Sequence, residues 1–126
     1  MFACLGCFIL SSFLCAAAVP DDLTAYTEEA ARAIAAKDFT KASAMAKDLK
    51  WRYPKSPAGY RIMIFMDWEL KNIAPIVWEV FNAERVHGVR DAGLYVEQAK
   101  ALYYLDGFQA ALQALDSLET FLKERP

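Results

Sequence analysis

The sequence predicts an all-α protein built as three antiparallel helix hairpins stacked into a short solenoid. Three observations lead there. Six segments carry apolar residues at helical spacing. None sustains the period-two alternation of a half-buried strand. The connections between segments are short, which makes successive helices antiparallel neighbours. At 126 residues the chain has room for one domain or one short repeat array.

The first stripe, from Asp22 to Ala36, is Leu23, Tyr26, Ala30, Ala33 and Ile34. Asp38-Phe39-Thr40 interrupts it, and Asp38 suits the cap of a second helix, whose stripe is Ala42, Met45, Ala46 and Leu49. That helix closes near Tyr53-Pro54, because proline disfavours helical backbone in the residue before it. Ser56-Pro57 then opens a third. The serine hydroxyl takes a free N–H, and proline at the first position loses no hydrogen bond. From Tyr60 through Ile62, Met63, Ile64, Phe65, Met66 and Trp68 the third helix is apolar on nearly all sides, so it belongs in the middle of the packing. Asn72 is the expected cap of the fourth, with Ile73, Ile76, Val77, Val80 and Phe81 inward and Gly88 as the left-handed residue after it. Asp91 starts the fifth, with Tyr95, Ala99, Leu102 and Leu105 inward. Asp106-Gly107 turns the chain into the sixth, whose stripe is Phe108, Ala111, Leu112, Leu115, Leu118 and Leu122. The hairpins span about 22–53, 56–88 and 91–125, within a helical repeat domain at 19–126.

Fourteen basic residues against sixteen acidic ones give a net charge of −2. That balance argues against bulk electrostatic binding, so no nucleic-acid partner is expected. A 56% apolar share with five Gly and five Pro excludes a disordered, collagen-like or acidic-tail chain.

Residues 1–18 read as a signal peptide. No charged side chain occurs from Met1 to Pro20, and Ala16 and Ala18 mark cleavage after Ala18. Retention of residues 2–19 as a membrane anchor is the alternative, and then the only expected membrane contact. Lipidation at Cys15 fits badly, because Ser12-Phe13-Leu14 precede it. All three cysteines, at 4, 7 and 15, lie in this segment. A chain cleaved after Ala18 has neither a disulfide framework nor a thiolate metal site. These features point to a secreted, periplasmic or envelope protein.

Phe39 and Phe108 open matching turns 69 residues apart, with Ile73 near the midpoint, so the hairpins recur at about 34.5 residues. Lys37-Asp38-Phe39-Thr40-Lys41-Ala42 and Asp106-Gly107-Phe108-Gln109-Ala110-Ala111 share an aromatic followed three residues later by alanine. Tyr26, Tyr60 and Tyr95 recur early in each unit, and Pro54 closes the first. In these residues the chain, over roughly 23–126, resembles the tetratricopeptide-repeat family. Tyr-Pro-Lys-Ser-Pro at 53–57 is similar to inter-repeat linkers of its bacterial envelope members, including outer-membrane assembly lipoproteins. Ile64 and Ile76 depart from the family's small residues, and Lys123 from its closing proline. The resemblance implies a right-handed solenoid and a concave groove lined by the first helix of each hairpin. Carried over, the groove positions are Thr27, Ala31 and Ile34, then Arg61, Phe65, Trp68 and Glu69, then Val96, Lys100, Tyr103 and Tyr104. Thr27 and Ala31 stand where the family's carboxylate-clamp members carry Lys and Asn, so clamping of an acidic C-terminus is not implied. Most of the other aromatics are expected in the core.

No segment carries a catalytic or cofactor signature. The single histidine, His87, beside Gly88, reads as a residue at a helix C-terminus, where the dipole favours its protonated form. No G-x-S-x-G elbow or phosphate-cradling Gly-rich loop occurs. Asp21-Asp22 and Glu28-Glu29 are neighbours that face different ways on a helix, not acid/base dyads. The expectation is a non-enzymatic protein-interaction module without cofactor or metal, holding a partner's peptide or helix in the groove. The alternative is a structural subunit packed through its end helices into a larger envelope assembly. The sixth helix either caps itself or is covered by further chain or by another protein.

Overall fold

A computed structural model of the chain describes residues 20–124. The segment read as a signal peptide and the three cysteines lie outside the described residues. Among those residues there are six helices and no strand: α1 Pro20–Ala35, α2 Phe39–Arg52, α3 Ala58–Glu69, α4 Ile73–Arg85, α5 Ala92–Asp106 and α6 Phe108–Glu124.

The helix ends follow from local chemistry. Asp38 Oδ1 accepts from the Lys41 N–H at 3.2 Å and Asp91 Oδ2 from the Leu94 N–H at 3.1 Å, so both acids cap as their short carboxylates allow. Ser56 Oγ accepts from the Ala58 N–H at 3.2 Å, while Pro57, already helical at φ −74° and ψ −5°, leads into α3. Asn72 holds the cap position of α4, but its side chain makes no cap bond, contrary to the expected role. The α4 helix closes at Arg85, and Gly88 follows in the left-handed region at φ 67°. His87 therefore lies in the turn beyond the helix, where its carbonyl accepts from Lys55 Nζ at 3.0 Å.

The hairpin turns repeat. Lys37 and Lys71 are both left-handed, at φ 61° and 60°. Around them Asp38 N–H donates to the Ala33 carbonyl at 2.8 Å and Asn72 N–H to the Asp67 carbonyl at 2.9 Å, each bond shifted 34 residues from the other. This is a Schellman closure, which satisfies a carbonyl left free at a helix end. Gly107, at φ 88°, turns the third hairpin. The second helices begin at Phe39, Ile73 and Phe108, in agreement with the period read from the sequence.

Each helix packs on its chain neighbours, α1 also touches α3, and α3 touches α5. This packing is consistent with a helical repeat. The α3 helix serves two cores. Ile62 and Met66 join Ile34, Met45 and Leu49 on one side, while Tyr60 and Ile64 join Ile76, Val80, Leu94 and Tyr95 on the other. The central place predicted for it is correct. Gly59 makes the α2–α3 crossing close, since a Cβ there would stand 2.8 Å from the Ala46 carbonyl oxygen and 2.7 Å from Lys50 Cγ.

Several positions depart from the expected stripes. Ile34 is buried in the first core and cannot line a groove. Phe81, Leu105, Phe108, Leu112, Leu115 and Leu122 are exposed. For the four positions on α6 the reason is visible in equivalent positions. Ala46 is 0% exposed beneath α3 and Val80 2% in the core shared with α5, whereas Leu115, 35 residues after Val80, is 42% exposed. No described element covers the outer side of α6. The aromatics are also less internal than expected, since Trp51 and Trp78 stand largely in solvent.

Candidate partner-binding site

The α3 helix presents Arg61, Phe65, Trp68 and Glu69 along one side, at the i, i+4, i+7, i+8 spacing of a shared helix face. From α5, Lys100 and Tyr104 reach Trp68 and Tyr103 packs beside Tyr104, while Val96 is exposed one turn before Lys100 on the same helix. Between the two helices lies a depression of about 260 Å³ lined by Arg61, Ile64, Phe65, Trp68, Gly93 and Glu97. Its walls are mainly apolar. Phe65 is 60% exposed and Tyr104 71% exposed, so the aromatic surface is not spent on the core.

Trp68 is the fixed point. Its Nε1 donates to Glu97 Oε2 at 2.6 Å, and Tyr104 packs edge-on with ring centroids 5.6 Å apart. Lys100 Nζ stands 5.4 Å from the centre of a Trp68 ring and donates to Glu97 Oε1 at 3.1 Å. Glu97 thus joins the indole of one hairpin to the ammonium of the next. Tyr103 follows Tyr104 at 6.3 Å between ring centroids. Arg61 Nη2 donates to Asp91 Oδ2 at 2.7 Å, the same oxygen that caps α5. Gly93 leaves room for that guanidinium, since a Cβ there would lie 3.1 Å from Arg61 Nη2.

The structure brings Arg61, Phe65, Trp68, Lys100, Tyr103 and Tyr104 into one continuous region. Glu69 is exposed one turn beyond Phe65 on the same side of α3. In the first hairpin Thr27 is half-buried, with Oγ1 donating to the Leu23 carbonyl at 2.7 Å, and Ala31 is exposed. A second depression, of about 390 Å³, lies between α1 and α3 and includes Thr24, Thr27, Glu28, Ser56 and Arg61 among its walls. Arg61 is the ridge common to both. The sequence reading missed Glu97, Asp91 and Gly93 as parts of this region. The bonds that place them bridge successive hairpins, Trp68–Glu97 over 29 residues and Arg61–Asp91 over 30, which is short of the 34.5-residue repeat, so the repeat spacing does not single them out.

A different polar cluster lies where α2, α3 and α4 meet. Lys50 pairs with Glu79 and stands 4.5 Å from the centre of the Tyr60 ring. Asp67 is buried beside this pair. Burial, and then the negative charge of Glu79, push its carboxyl up to about 6, against the opposing pull of Lys50. Burial and Glu79 likewise raise the Tyr60 phenol above its ordinary range.

Among the described residues the fold is all-helical, with neighbouring helices packed in a way consistent with a helical repeat, and no helix is long and apolar enough to cross a membrane. Comparison with family models, curated proteins and solved structures gives no match to the chain.

Proposed function

We propose that the protein is a non-enzymatic interaction module, built as a tetratricopeptide-like right-handed solenoid, that holds a partner's peptide or helix on the face formed by α1, α3 and α5. The observation that carries this reading is the exposed aromatic set Phe65, Tyr103 and Tyr104 around an anchored Trp68, across first helices of successive hairpins. Trp, Tyr and Arg dominate the binding energy of protein interfaces. Fixing Trp68 through Glu97 and Lys100 before a partner arrives lowers the ordering cost of binding. The 34-residue repetition of turn geometry supports the family reading, in which first helices line the groove. The proposed setting is the exported or envelope compartment, on the uncharged apolar run before Pro20 and the Ala16-x-Ala18 pattern. Mass spectrometry of the exported protein tests the setting, with Val19 as the expected N-terminus and an intact Met1 as the contrary result. For the groove itself, Phe65→Ala and Tyr104→Ala should each weaken partner binding by roughly 1–2 kcal/mol while the helical circular dichroism spectrum is unchanged. Full-strength binding by both folded variants overturns the site.

A second reading has its own observation. Phe108, Leu112, Leu115 and Leu122 leave an exposed apolar stripe on α6, as in a structural subunit that packs through its end helix into a larger assembly. Leu115→Lys separates the two readings, because it abolishes assembly through α6 and leaves binding at the groove intact.

A further inference from the structure

On the reading that α1, α3 and α5 form the binding face, we infer that its partner is a basic segment: an apolar side chain flanked by Lys or Arg. The depression between α3 and α5 supplies the anchor site, with Ile64, Phe65 and Trp68 on its walls. The charges around it are unequal. Four acids, Glu28, Glu69, Asp91 and Glu97, share this face with two bases, Arg61 and Lys100. Both bases are already engaged, Arg61 with Asp91 at 2.7 Å and Lys100 with Glu97 at 3.1 Å. Glu28 and Glu69 make no ion pair among the described residues. Glu28 belongs to the depression between α1 and α3, on the far side of Arg61, and Glu69 stands at the opposite end of α3 from Arg61.

A ligand seated at Phe65 and Trp68 therefore has an uncommitted carboxylate to either side. An acidic partner would meet the two unpaired carboxylates, Glu28 and Glu69, and find both possible cation partners occupied. A basic partner meets open carboxylates that disturb nothing when they pair. Charge of this kind at the rim of an interface selects the partner and speeds its approach more than it tightens the complex. The anchor supplies affinity and the rim supplies discrimination.

The test uses the full chain on an array of synthetic dodecapeptides in a Gly/Ser background, each with Leu, Phe or Trp at the centre. Lys, Gln or Glu stands on both sides of that centre. Protein, Phe65→Ala protein and Glu28→Lys/Glu69→Lys protein are compared, with circular dichroism as the check on folding. All three substituted positions are exposed, so the variants should keep their helices. The expected result is retention on Lys peptides about tenfold above Glu peptides, falling as salt rises from 0.05 to about 0.5 M. The double charge reversal should invert that order, and Phe65→Ala should remove dependence on the central residue. Binding that needs Phe65 but ignores or inverts the flanking charge overturns the basic-segment inference and leaves the groove standing. Binding that is absent, or indifferent to Phe65→Ala, overturns the groove reading and this inference with it.

Discussion

Asp67 offers a sharp test of how the middle hairpin is packed. Its carboxyl is buried where α2, α3 and α4 meet, near Lys50 and Glu79, and its pKa rises from 3.8 to about 6. A carboxyl whose folded pKa lies above its unfolded one holds its proton more tightly when folded. Its contribution is therefore complete below about 3.8 and is lost as pH rises through about 6. A rise from 3.8 to about 6 is worth about 3 kcal/mol at most, and about 2 kcal/mol of that is lost between about pH 4.5 and about pH 7.5. Asp67→Asn removes the ionisation and keeps the shape. Urea unfolding of the full chain and of the variant, across this pH range, isolates the effect, since any constant offset cancels. The variant should gain about 2 kcal/mol relative to the parent between pH 4.5 and 7.5. Profiles that run parallel within about 0.5 kcal/mol would mean that Asp67 is solvated or fully paired, and the packing described around it is wrong.

Other perturbations probe other links of the account. Gly59→Ala pushes a methyl into the Ala46 carbonyl and should cost about 1–3 kcal/mol in thermal or urea unfolding. Gly93→Ala meets only the ends of the Arg61 and Asp91 side chains and should cost far less, so equal losses would refute the α2–α3 crossing. Lys37→Gly and Lys71→Gly each relieve a left-handed backbone and should be neutral to stabilising by up to about 1 kcal/mol; a clear loss of melting temperature from either contradicts the turn geometry. Arg61→Ala should change stability by less than about 1 kcal/mol, because its pairing with Asp91 is half exposed, whereas a large drop in melting temperature would make Arg61 a core residue.

The helices were legible because each writes its buried side into the chain. Ala42, Met45, Ala46 and Leu49 could hardly be anything but one face of one helix. Asp38 and Asp91 announced their caps, since a short carboxylate before a helical stripe has few other roles. The turns at Lys37 and Lys71 were not announced, because lysine carries no preference for left-handed backbone and adopts it here as part of the helix-end closure. Apolar spacing also shows which residues seek cover without showing whether cover exists. Val80 finds it under α5, while Leu115, in the equivalent place, stays exposed. The site divides in the same way. Helix register alone set Arg61, Phe65 and Trp68 on one side of α3. The place of Glu97 depends on how near α5 comes to α3, a distance that no single helix encodes.

The claim that the α1–α3–α5 face holds a protein partner is tested most directly by site-specific photo-crosslinking in the host cell. The full chain carries a benzoylphenylalanine in turn at Phe65 and Tyr104 on the proposed face, at Trp78 on another exposed surface, and at Leu115 on the outer side of α6. The account predicts that irradiation ties one same partner protein to the probes at Phe65 and Tyr104 and not to the probe at Trp78. A partner captured at Leu115 or Trp78, with nothing at Phe65 or Tyr104, would contradict it.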